Sequence, residues 1–299
     1  MGLLKNLEFS VVIPTYNRPE QLSDCLAALA AQTLPRDRFE VIIVDDGGGA
    51  PAAAVAEKFH ARLLVRCLRQ DNAGPAAARN TGARAAEGQW LAFTDDDCLP
   101  AADWLEAYRD GFARHPEAML GGATVNALPQ NPYSTASQLI QDFVYRYYNR
   151  DPAQAQFFAS NNIAVPGAKF RALGGFHPAF RTSEDREFCA RWLAGSGRLI
   201  SIPAAVVHHA HRLDFRAFWR QHCGYGKGAR RYQLALRAST GRCSIEPGFY
   251  LSTARCLPRE LARHRMPLTM GFLLILWQTA NAAGWLSEAL ASRESYAAR

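Results

Sequence analysis

The sequence predicts an α/β protein whose sheet is mostly parallel and doubly wound, with a helical appendage at the C-terminus. Over residues 9–212, short apolar runs rich in Val, Ile and Leu alternate with segments whose apolar residues recur at helical spacing. This alternation is typical of strands that are buried on both faces by the helices that connect them. After residue 212 the strand-like runs stop and the chain becomes basic. We therefore expect a sheet domain over 1–212 and a separate helical region over 213–299.

Four strands are predicted in the first 100 residues. Their apolar runs lie at 9–14, 39–44, 62–68 and 89–94. The helices between them are predicted at 22–30, 52–59 and 75–87. Pro75 suits the first position of the third helix, and Gly88 suits its end. Because strand–helix–strand connections are almost always right-handed, these strands should run parallel to one another.

The next hundred residues mix helices and strands less regularly. Helical patterns occupy 101–115, 137–148 and 169–173, and a further helix begins at Glu184 and Asp185. Strand-like runs occupy 119–125, 157–166 and 199–207. Glu184 and Asp185 are therefore first-turn residues of a helix, where the positive end of the helix dipole favours carboxylates.

Composition excludes several classes of protein. The chain has 299 residues, of which 48% are hydrophobic and 20% charged, as is typical of a folded globular protein. Its seven cysteines form no Cys-x-x-Cys pair, so neither a disulfide framework nor a zinc knuckle is indicated. The N-terminal residues lack the apolar core of a signal peptide, so we expect a cytoplasmic protein.

The net charge of +7 is concentrated in the C-terminal third of the chain, where residues 212–265 contain twelve Lys and Arg against three acids. Such a segment suits nucleic acid, anionic lipid or a phosphorylated substrate, and it also suits an ordinary solvated helical surface. The apolar stretch 267–286 that follows is interrupted by Gln278, Thr279 and Asn281. A membrane span, an amphipathic helix at the membrane surface and a packed core helix all stay open for it.

Three consecutive carboxylates, Asp95, Asp96 and Asp97, follow the strand-like run that ends at Phe93. Acids at the end of a buried strand repel one another, so a cation is needed to neutralise them. Oxygen ligands suit Mg²⁺ or Mn²⁺, and Mg²⁺ usually completes its shell with substrate phosphates. The triplet therefore predicts a nucleoside diphosphate bound through a divalent ion. The alternative is an exposed acidic loop whose last aspartate caps the following helix.

Polar clusters follow three of the predicted strands, at 15–18, 45–47 and 95–97. In parallel sheets, ligands bind outside the carboxyl ends of the strands, so these clusters should meet in one crevice. The chain contains neither G-x-G-x-x-G nor the P-loop pattern G-x-x-x-x-G-K-[ST]. A dinucleotide site or a P-loop is therefore not indicated.

Seven motifs occur in a fixed order within this part of the chain. They are Val-Val-Ile-Pro-Thr-Tyr-Asn-Arg at 11–18, Val-Asp-Asp-Gly at 44–47, Asn-x-Gly-Pro-Ala-Ala-Ala-Arg-Asn-Thr-Gly at 72–82, Phe-Thr-Asp-Asp-Asp at 93–97, Ser-Asn-Asn at 160–162, Gly-Gly-Phe at 174–176 and Ser-Glu-Asp at 183–185. With these motifs the chain resembles the family 2 glycosyltransferases of GT-A type. The resemblance implies a GT-A catalytic domain over 1–212, with a nucleotide-sugar-binding half at 1–100 and an acceptor-side half at 101–212.

The resemblance also implies that a sugar moves, with inversion, from a nucleotide-diphosphate donor to an acceptor hydroxyl. The residues implied for the donor site are Pro14, Thr15, Tyr16, Arg18, Asp45, Arg79, Asp95 and Asp96. Those implied for a divalent cation, Mn²⁺ or Mg²⁺, are Asp95, Asp97 and His209, with His208 as the alternative histidine. A UDP-sugar is the favoured donor. The implied acceptor is a saccharide or a lipid-linked molecule of cell-surface polysaccharide or glycolipid synthesis.

Asp185 is the candidate general base, with Glu184 second, by resemblance to the family's Glu-Asp motif. A carboxylate can take the proton that the acceptor hydroxyl loses as it attacks the anomeric carbon. The alternative is that both acids only stabilise the N-terminus of their helix. Arg186 lies between Asp185 and Glu187, where it could lower the pKa of Asp185 or bind an acceptor phosphate.

Two other functions are compatible with parts of the sequence. A sugar nucleotidyltransferase also uses acids, a metal and a parallel sheet, but it needs a Gly-rich loop with a basic residue after its first strand, where this chain has Pro-Thr-Tyr-Asn-Arg. A non-catalytic protein could bind membrane or nucleic acid through 212–265. Asp95, Asp97 and Asp185 together favour the enzyme, and we expect no nucleic-acid partner.

The C-terminal region is expected to contact the inner face of the plasma membrane peripherally. Cations near an anionic leaflet gain up to about 1 kcal/mol each, and a partly buried apolar helix adds to this. The basic residues expected to meet the phosphates of an acceptor are Arg212, Arg216, Arg220 and Lys227.

Overall fold

The computed structural model describes residues 7–240 and 247–297, without the side chains of 239–240 and 292–297. The prediction of no signal peptide falls partly on 1–6, which lie outside the described residues, as does the 241–246 part of the basic segment.

The chain divides into two compact units by its internal contacts. The first consists of Met1–Ala127 and Asn149–His211, and the second of Leu128–Tyr148 and Arg212–Arg299. A segment from the middle of the chain thus groups with the C-terminal helices. The functional division at residue 212 stays a prediction.

The first unit contains a sheet in which eight strands are described. They are β1 (Phe9–Thr15), β2 (Phe39–Asp45), β3 (Val65–Arg69), β4 (Trp90–Thr94), β5 (Cys98–Pro100), β6 (Met119–Asn126), β7 (Asn162–Pro166) and β8 (Leu199–His209). Their order across the sheet is β3-β2-β1-β4-β7-β6-β8-β5.

Helices of the first unit connect these strands. They are α1 (Pro19–Leu29), α2 (Ala52–Glu57), α3 (Pro75–Ala85), α4 (Trp104–Arg114), α6 (Gly167–Ala172) and α7 (Glu184–Ala194). The helices of the second unit are α5 (Pro132–Tyr148), α8 (Phe215–Thr240), α9 (Pro247–Arg263) and α10 (Pro267–Ala297).

The α/β class and the C-terminal helical region are confirmed, and the four strands of the first half are parallel as predicted. The second half of the sheet is mixed. β7 runs antiparallel to β4 and β6, and β5 runs antiparallel to β8, whereas β6 and β8 are parallel. Strand direction depends on the connections and not on the apolar pattern of the strand itself, so the sequence could not distinguish these cases.

Two strands differ from the prediction in extent. The run predicted as a strand over 157–166 is a strand only from Asn162, and the three-residue β5 was not predicted. A run of three residues is too short to show alternation, so β5 has no periodic signal. It matters for the site because it pairs Cys98 with His209.

The second unit has its own apolar core. It is formed by Ala136, Leu139, Ile140, Phe143, Leu213, Phe218, Met270, Leu273, Leu274 and Trp277. α8 and α10 cross closely at two glycines, since a Cβ at Gly226 would lie 2.1 Å from the carbonyl oxygen of Asn281. A Cβ at Gly284 would lie 2.0 Å from the carbonyl oxygen of Cys223. Within the described residues, no helix combines the length and the apolar character that crossing a membrane requires.

Candidate active site

The predicted polar clusters meet at the carboxyl ends of β1, β2 and β4. Thr15 and Asp45 are paired across β1 and β2. The Thr15 hydroxyl donates to Oδ2 of Asp96 at 2.7 Å, and Arg18 donates to Asp96 and Asp97, each at 3.1 Å. These contacts bring the first and third clusters together, as expected from the predicted parallel order.

Asp45 is buried at the end of β2 and has two hydrogen-bond partners. The backbone amide of Gly48 donates to its Oδ1 at 3.0 Å, and Arg69 donates to its Oδ2 at 3.1 Å. Arg69 was not singled out from the sequence, although its position at the end of β3 could have indicated it. Tyr16, half exposed next to this edge, and the part-buried Pro14 complete the predicted residues of β1 and its turn.

Two neighbouring aspartates of the triplet differ in their protonation behaviour. Burial raises the pKa of Asp96 to about 6, against the opposing effect of Arg18. Burial also opposes ionisation of Asp97, but the hydrogen bond and charge of His209, together with Arg18, hold its pKa well below the usual range. Asp97 is therefore the more readily ionised carboxylate of the pair and the better cation ligand.

His209, at the end of β8, is the histidine that faces the acid triplet. Its Nε2 lies 3.2 Å from Oδ1 of Asp97, because the pairing of β5 with β8 holds the two strand ends together. The neighbouring His208 points the other way along the alternating strand and is exposed. His211, two residues further along the chain, stacks on the His209 ring at a centroid distance of 4.5 Å. Burial and the charge of His209 lower the pKa of His211 to about 4.

Among the described residues, one group offers three metal-type donor atoms within 4.8 Å of one another, and it consists of Asp97, Cys98 and His209. Burial and nearby carboxylates raise the pKa of the Cys98 thiol well above its usual range, which makes it a poor ligand. A carboxylate and an imidazole fit a divalent ion such as Mn²⁺ that is completed by substrate oxygens. Asp95, the other predicted ligand, lies outside this group.

Arg79 is buried and joins the acid triplet to α7. One guanidinium nitrogen donates to Oδ1 of Asp95 at 2.6 Å and the other to Oε1 of Glu184 at 2.9 Å. Burial disfavours the charged form of Arg79 and by itself would lower its pKa. The negative charges of Asp95 and Glu184 outweigh this effect and raise the pKa. Because Oε1 of Glu184 is engaged by the Arg79 guanidinium, Glu184 is less free than Asp185 to contact an acceptor hydroxyl.

We expect the loss of Arg79 to destabilise the fold strongly. Arg79→Met would leave the buried Glu184 carboxylate without its partner, which costs about 3–5 kcal/mol in comparable cases. Arg69→Met is the matched control, because Arg69 also pairs with a buried carboxylate at a strand end, but its own side chain is 58% exposed and the Gly48 amide still donates to Asp45, so a smaller loss is expected. Denaturant unfolding of both variants tests this expectation. Small and equal losses in the free energy of unfolding of the two variants would contradict it.

Asp185 lies in the first turn of α7 and is the less constrained of the two predicted bases. Backbone amides of Arg186 and Ser160 hydrogen-bond its carboxylate, the former at 2.7 Å. Burial and the charge of Glu184 raise the pKa of Asp185 to about 7. A carboxyl group with a pKa near neutrality is suited to accept a proton at physiological pH. The third acid of the motif, Glu187, accepts hydrogen bonds from Arg191 in the next turn.

Comparison with known proteins places this site in a family. The family model described as glycosyl transferase family 2 matches residues 10–172. Over 298 residues the chain is 26% identical to glycosyltransferase AglE of Haloferax volcanii, covering 95% of this chain and 97% of that protein. It is 29% identical over 227 residues to the pre-mycofactocin glycosyltransferase of Mycobacterium tuberculosis, covering 74% of this chain and 47% of that protein.

Solved structures are similar to the whole fold. Mannosyltransferase PcManGT from Pyrobaculum calidifontis, in complex with GDP-Man and Mn²⁺, matches with a TM-score of 0.66 at 20% identity, over 95% of this chain and 86% of that one. Residues 1–349 of Staphylococcus aureus TarS, in complex with UDP-GlcNAc, match with a TM-score of 0.57 at 15% identity, over 97% of this chain and 92% of that one. At these identities the likeness concerns the fold.

The family match covers more than half of the 299 residues and includes five of the seven motifs, from the first strand to the start of β7. It favours sugar transfer over the nucleotidyltransferase and the non-catalytic alternatives. The chain therefore belongs to glycosyl transferase family 2 and is a GT-A-type enzyme that transfers a sugar from a nucleotide-sugar donor.

Proposed function

We propose that the protein is an inverting, divalent-cation-dependent glycosyltransferase that uses Asp185 as its general base. The observation that carries this proposal is the pairing of two chemically distinct sites in the first unit. Asp97 and His209 offer an anionic oxygen and an imidazole nitrogen, while Asp185 has its pKa raised towards neutrality. Arg79 links the two sites through Asp95 and Glu184.

Asp97 and His209 would hold the cation, with Asp95 as a further candidate through the oxygen that does not face Arg79. A divalent ion at this position supplies Lewis-acid stabilisation of the negative charge on the leaving diphosphate. Arg18 is half exposed beside Asp96 and Asp97, and its guanidinium is available to bind phosphate oxygens as well. At the edge of a nucleobase, the Asp45 carboxylate could accept a hydrogen bond and the Arg69 guanidinium could donate one.

The residues account for the reaction as follows. The acceptor hydroxyl oxygen forms a bond to the anomeric carbon from the face opposite the diphosphate. The bond between that carbon and the diphosphate oxygen breaks, and the diphosphate leaves with the electron pair. Asp185 accepts the hydroxyl proton. Attack from the opposite face inverts the anomeric configuration.

A donor screen tests the proposal. Thermal unfolding with Mn²⁺ is measured in the presence of UDP-, GDP- and dTDP-sugars, and release of the nucleoside diphosphate is then measured for each donor that stabilises the protein. We propose a UDP-sugar as the donor, and both UDP- and GDP-sugars occur in the structural neighbours. Stabilisation by none of these donors would contradict the proposal.

We also propose that the second unit contacts an anionic membrane surface and that the acceptor is a saccharide or a lipid-linked molecule. α10 has an uncharged exposed stripe that includes Leu268, Phe272 and Ile275, of which Leu268 is 89% exposed. The exposed Arg255, Arg259, Arg263 and Arg265 precede it. An apolar stripe with neighbouring cations is the arrangement that binds the interface of an anionic membrane.

Co-sedimentation with vesicles that contain phosphatidylglycerol tests this contact. We expect the full-length protein to bind and to dissociate as salt is raised. The double variant Phe272→Asp/Ile275→Asp should lose binding, because it places two charges where apolar side chains would enter the interface. Leu234→Asp, which adds a charge to α8, is the control and should bind. Failure of the full-length protein to co-sediment with the vesicles would rule the contact out.

A further inference from the structure

The motif Ser160-Asn161-Asn162 contains two adjacent asparagines in opposite situations. Asn162 is fully buried and satisfied, since its Oδ1 accepts from Nε1 of Trp104 at 2.8 Å and from the hydroxyl of Tyr108 at 2.7 Å. Its Nδ2 donates to the carbonyl oxygens of Ala123 and Ala205 at 2.9 and 3.0 Å. Asn162 therefore ties strands and a helix of the first unit together.

Asn161 has none of these contacts, although it is only 6% exposed. Its Oδ1 is buried and accepts no hydrogen bond from any part of the chain that the structure describes. A buried polar atom without a partner costs about 1–3 kcal/mol, so native structures keep few of them. Such an atom beside a substrate site is explained when the substrate supplies the missing donor.

Asn161 lies between the two halves of the proposed reaction. β7 pairs with β4 so that Asn162 is opposite Thr94, and Asn161 and Asp95 are therefore the next residues beyond that pair on the two chains. On its other side, the backbone amide of Ser160 hydrogen-bonds the carboxylate of Asp185. The donor sugar would have to lie between the acid triplet and the base.

We propose that Oδ1 of Asn161 accepts a hydrogen bond from a hydroxyl group of the sugar being transferred. This inference rests on the proposed function, since it assigns a contact within the same donor site. A carbonyl oxygen needs a hydrogen-bond donor, which the hydroxyl groups of a sugar supply and an ionised phosphate does not. The ribose hydroxyls of the nucleotide are donors as well, and it is the position of Asn161 between Asp95 and Asp185 that assigns its contact to the transferred sugar.

The test compares Asn161→Ala with Asn162→Ala in the full-length protein. Without ligand, Asn161→Ala should unfold at the temperature of the unmodified protein or slightly above it, because it removes an unpaired buried atom. Asn162→Ala removes four buried hydrogen bonds and should unfold several degrees lower. A large loss of stability in Asn161→Ala would show that Asn161 is structural and would overturn the inference.

Binding is then titrated with Mn²⁺ and two probes, the nucleotide sugar that stabilises the unmodified protein in the donor screen and its nucleoside diphosphate. Asn161→Ala should bind the nucleotide sugar roughly 3- to 10-fold more weakly, as expected for one lost hydrogen bond, and should bind the nucleoside diphosphate unchanged. An affinity of Asn161→Ala for the nucleotide sugar that equals that of the unmodified protein would overturn the inference, as would an equal weakening of both probes. Normal donor binding with a raised KM for the acceptor alone would also overturn it. Failure of the unmodified protein to bind any nucleotide sugar would overturn the proposed function and this inference with it.

Discussion

Asp185→Asn is expected to slow sugar transfer by about 10²- to 10⁴-fold, the range that removal of a general base typically causes. Asparagine keeps the shape of the side chain and can still accept from the backbone amides of Arg186 and Ser160, but it cannot take up a proton. Donor affinity should therefore be unchanged. Single-turnover transfer and donor titration separate the two effects.

The matched control is Glu184→Gln. Its amide oxygen can still accept from Arg79, and Glu184 is not the proposed base, so transfer should fall much less than in Asp185→Asn. A larger loss in Glu184→Gln, or normal turnover in Asp185→Asn, would show that the base has been wrongly assigned. Loss of donor binding in Asp185→Asn would also contradict the assignment.

The rate of transfer should depend on pH through the same group. A general base works only when it is deprotonated, and burial beside Glu184 raises the pKa of Asp185 to about 7. The rate should therefore rise with pH from about 6 to 8 and then level off. Because Asn does not titrate, this rise should be absent from the residual activity of Asp185→Asn. A flat profile in the unmodified protein would contradict the pKa assignment.

Asp97→Ala is expected to abolish Mn²⁺-dependent donor hydrolysis and transfer while leaving the fold intact. Asp97 is the charged carboxylate beside His209, and its loss removes the anionic ligand without opening a cavity in the apolar core. Circular dichroism and thermal unfolding check the fold, and release of the nucleoside diphosphate checks activity.

The control for this variant is Cys98→Ala. The Cys98 thiol belongs to the same group of potential donor atoms, but its raised pKa makes it a poor ligand. We expect Cys98→Ala to retain most activity at saturating Mn²⁺. Full activity of Asp97→Ala under the same conditions would exclude Asp97 as a ligand.

Much of the nucleotide side of the site could be predicted from local patterns. The strands that end near Thr15, Asp45 and Thr94 are continuous apolar runs, and polar residues follow each of them. Parallel order then brings the three clusters to one edge without further information. This is why the contacts of Thr15 and Arg18 with the acid triplet agree with expectation.

The rest of the candidate site depended on pairings that no local pattern encodes. His209 faces Asp97 because β5, a strand of three residues, pairs antiparallel with β8. Arg79 is buried between two carboxylates that are 16 and 105 residues away in the chain. The sequence indicated which residues matter, but the long-range pairing determines that Glu184 is held by Arg79 and that Asp185 is not.

The same limit applies to the Ser-Asn-Asn motif. From the sequence its two asparagines are equivalent, and both lie next to an apolar run. Only the fold shows that Asn162 contacts Trp104 and Tyr108 while the adjacent Asn161 has an unpaired Oδ1. Asn162 is the first residue of β7 and pairs with Thr94, whereas Asn161 lies just before the strand.

The central claim is that Asp97 and His209 hold a divalent cation through which the donor diphosphate binds, and isothermal titration of the nucleoside diphosphate tests it most directly. The unmodified protein, Asp97→Ala and Asp185→Asn are each titrated with Mn²⁺ present and again with excess EDTA. We predict that the unmodified protein and Asp185→Asn bind only with Mn²⁺ and that Asp97→Ala does not bind in either condition. Binding of equal affinity with Mn²⁺ and with EDTA, or undiminished Mn²⁺-dependent binding by Asp97→Ala, would contradict the claim.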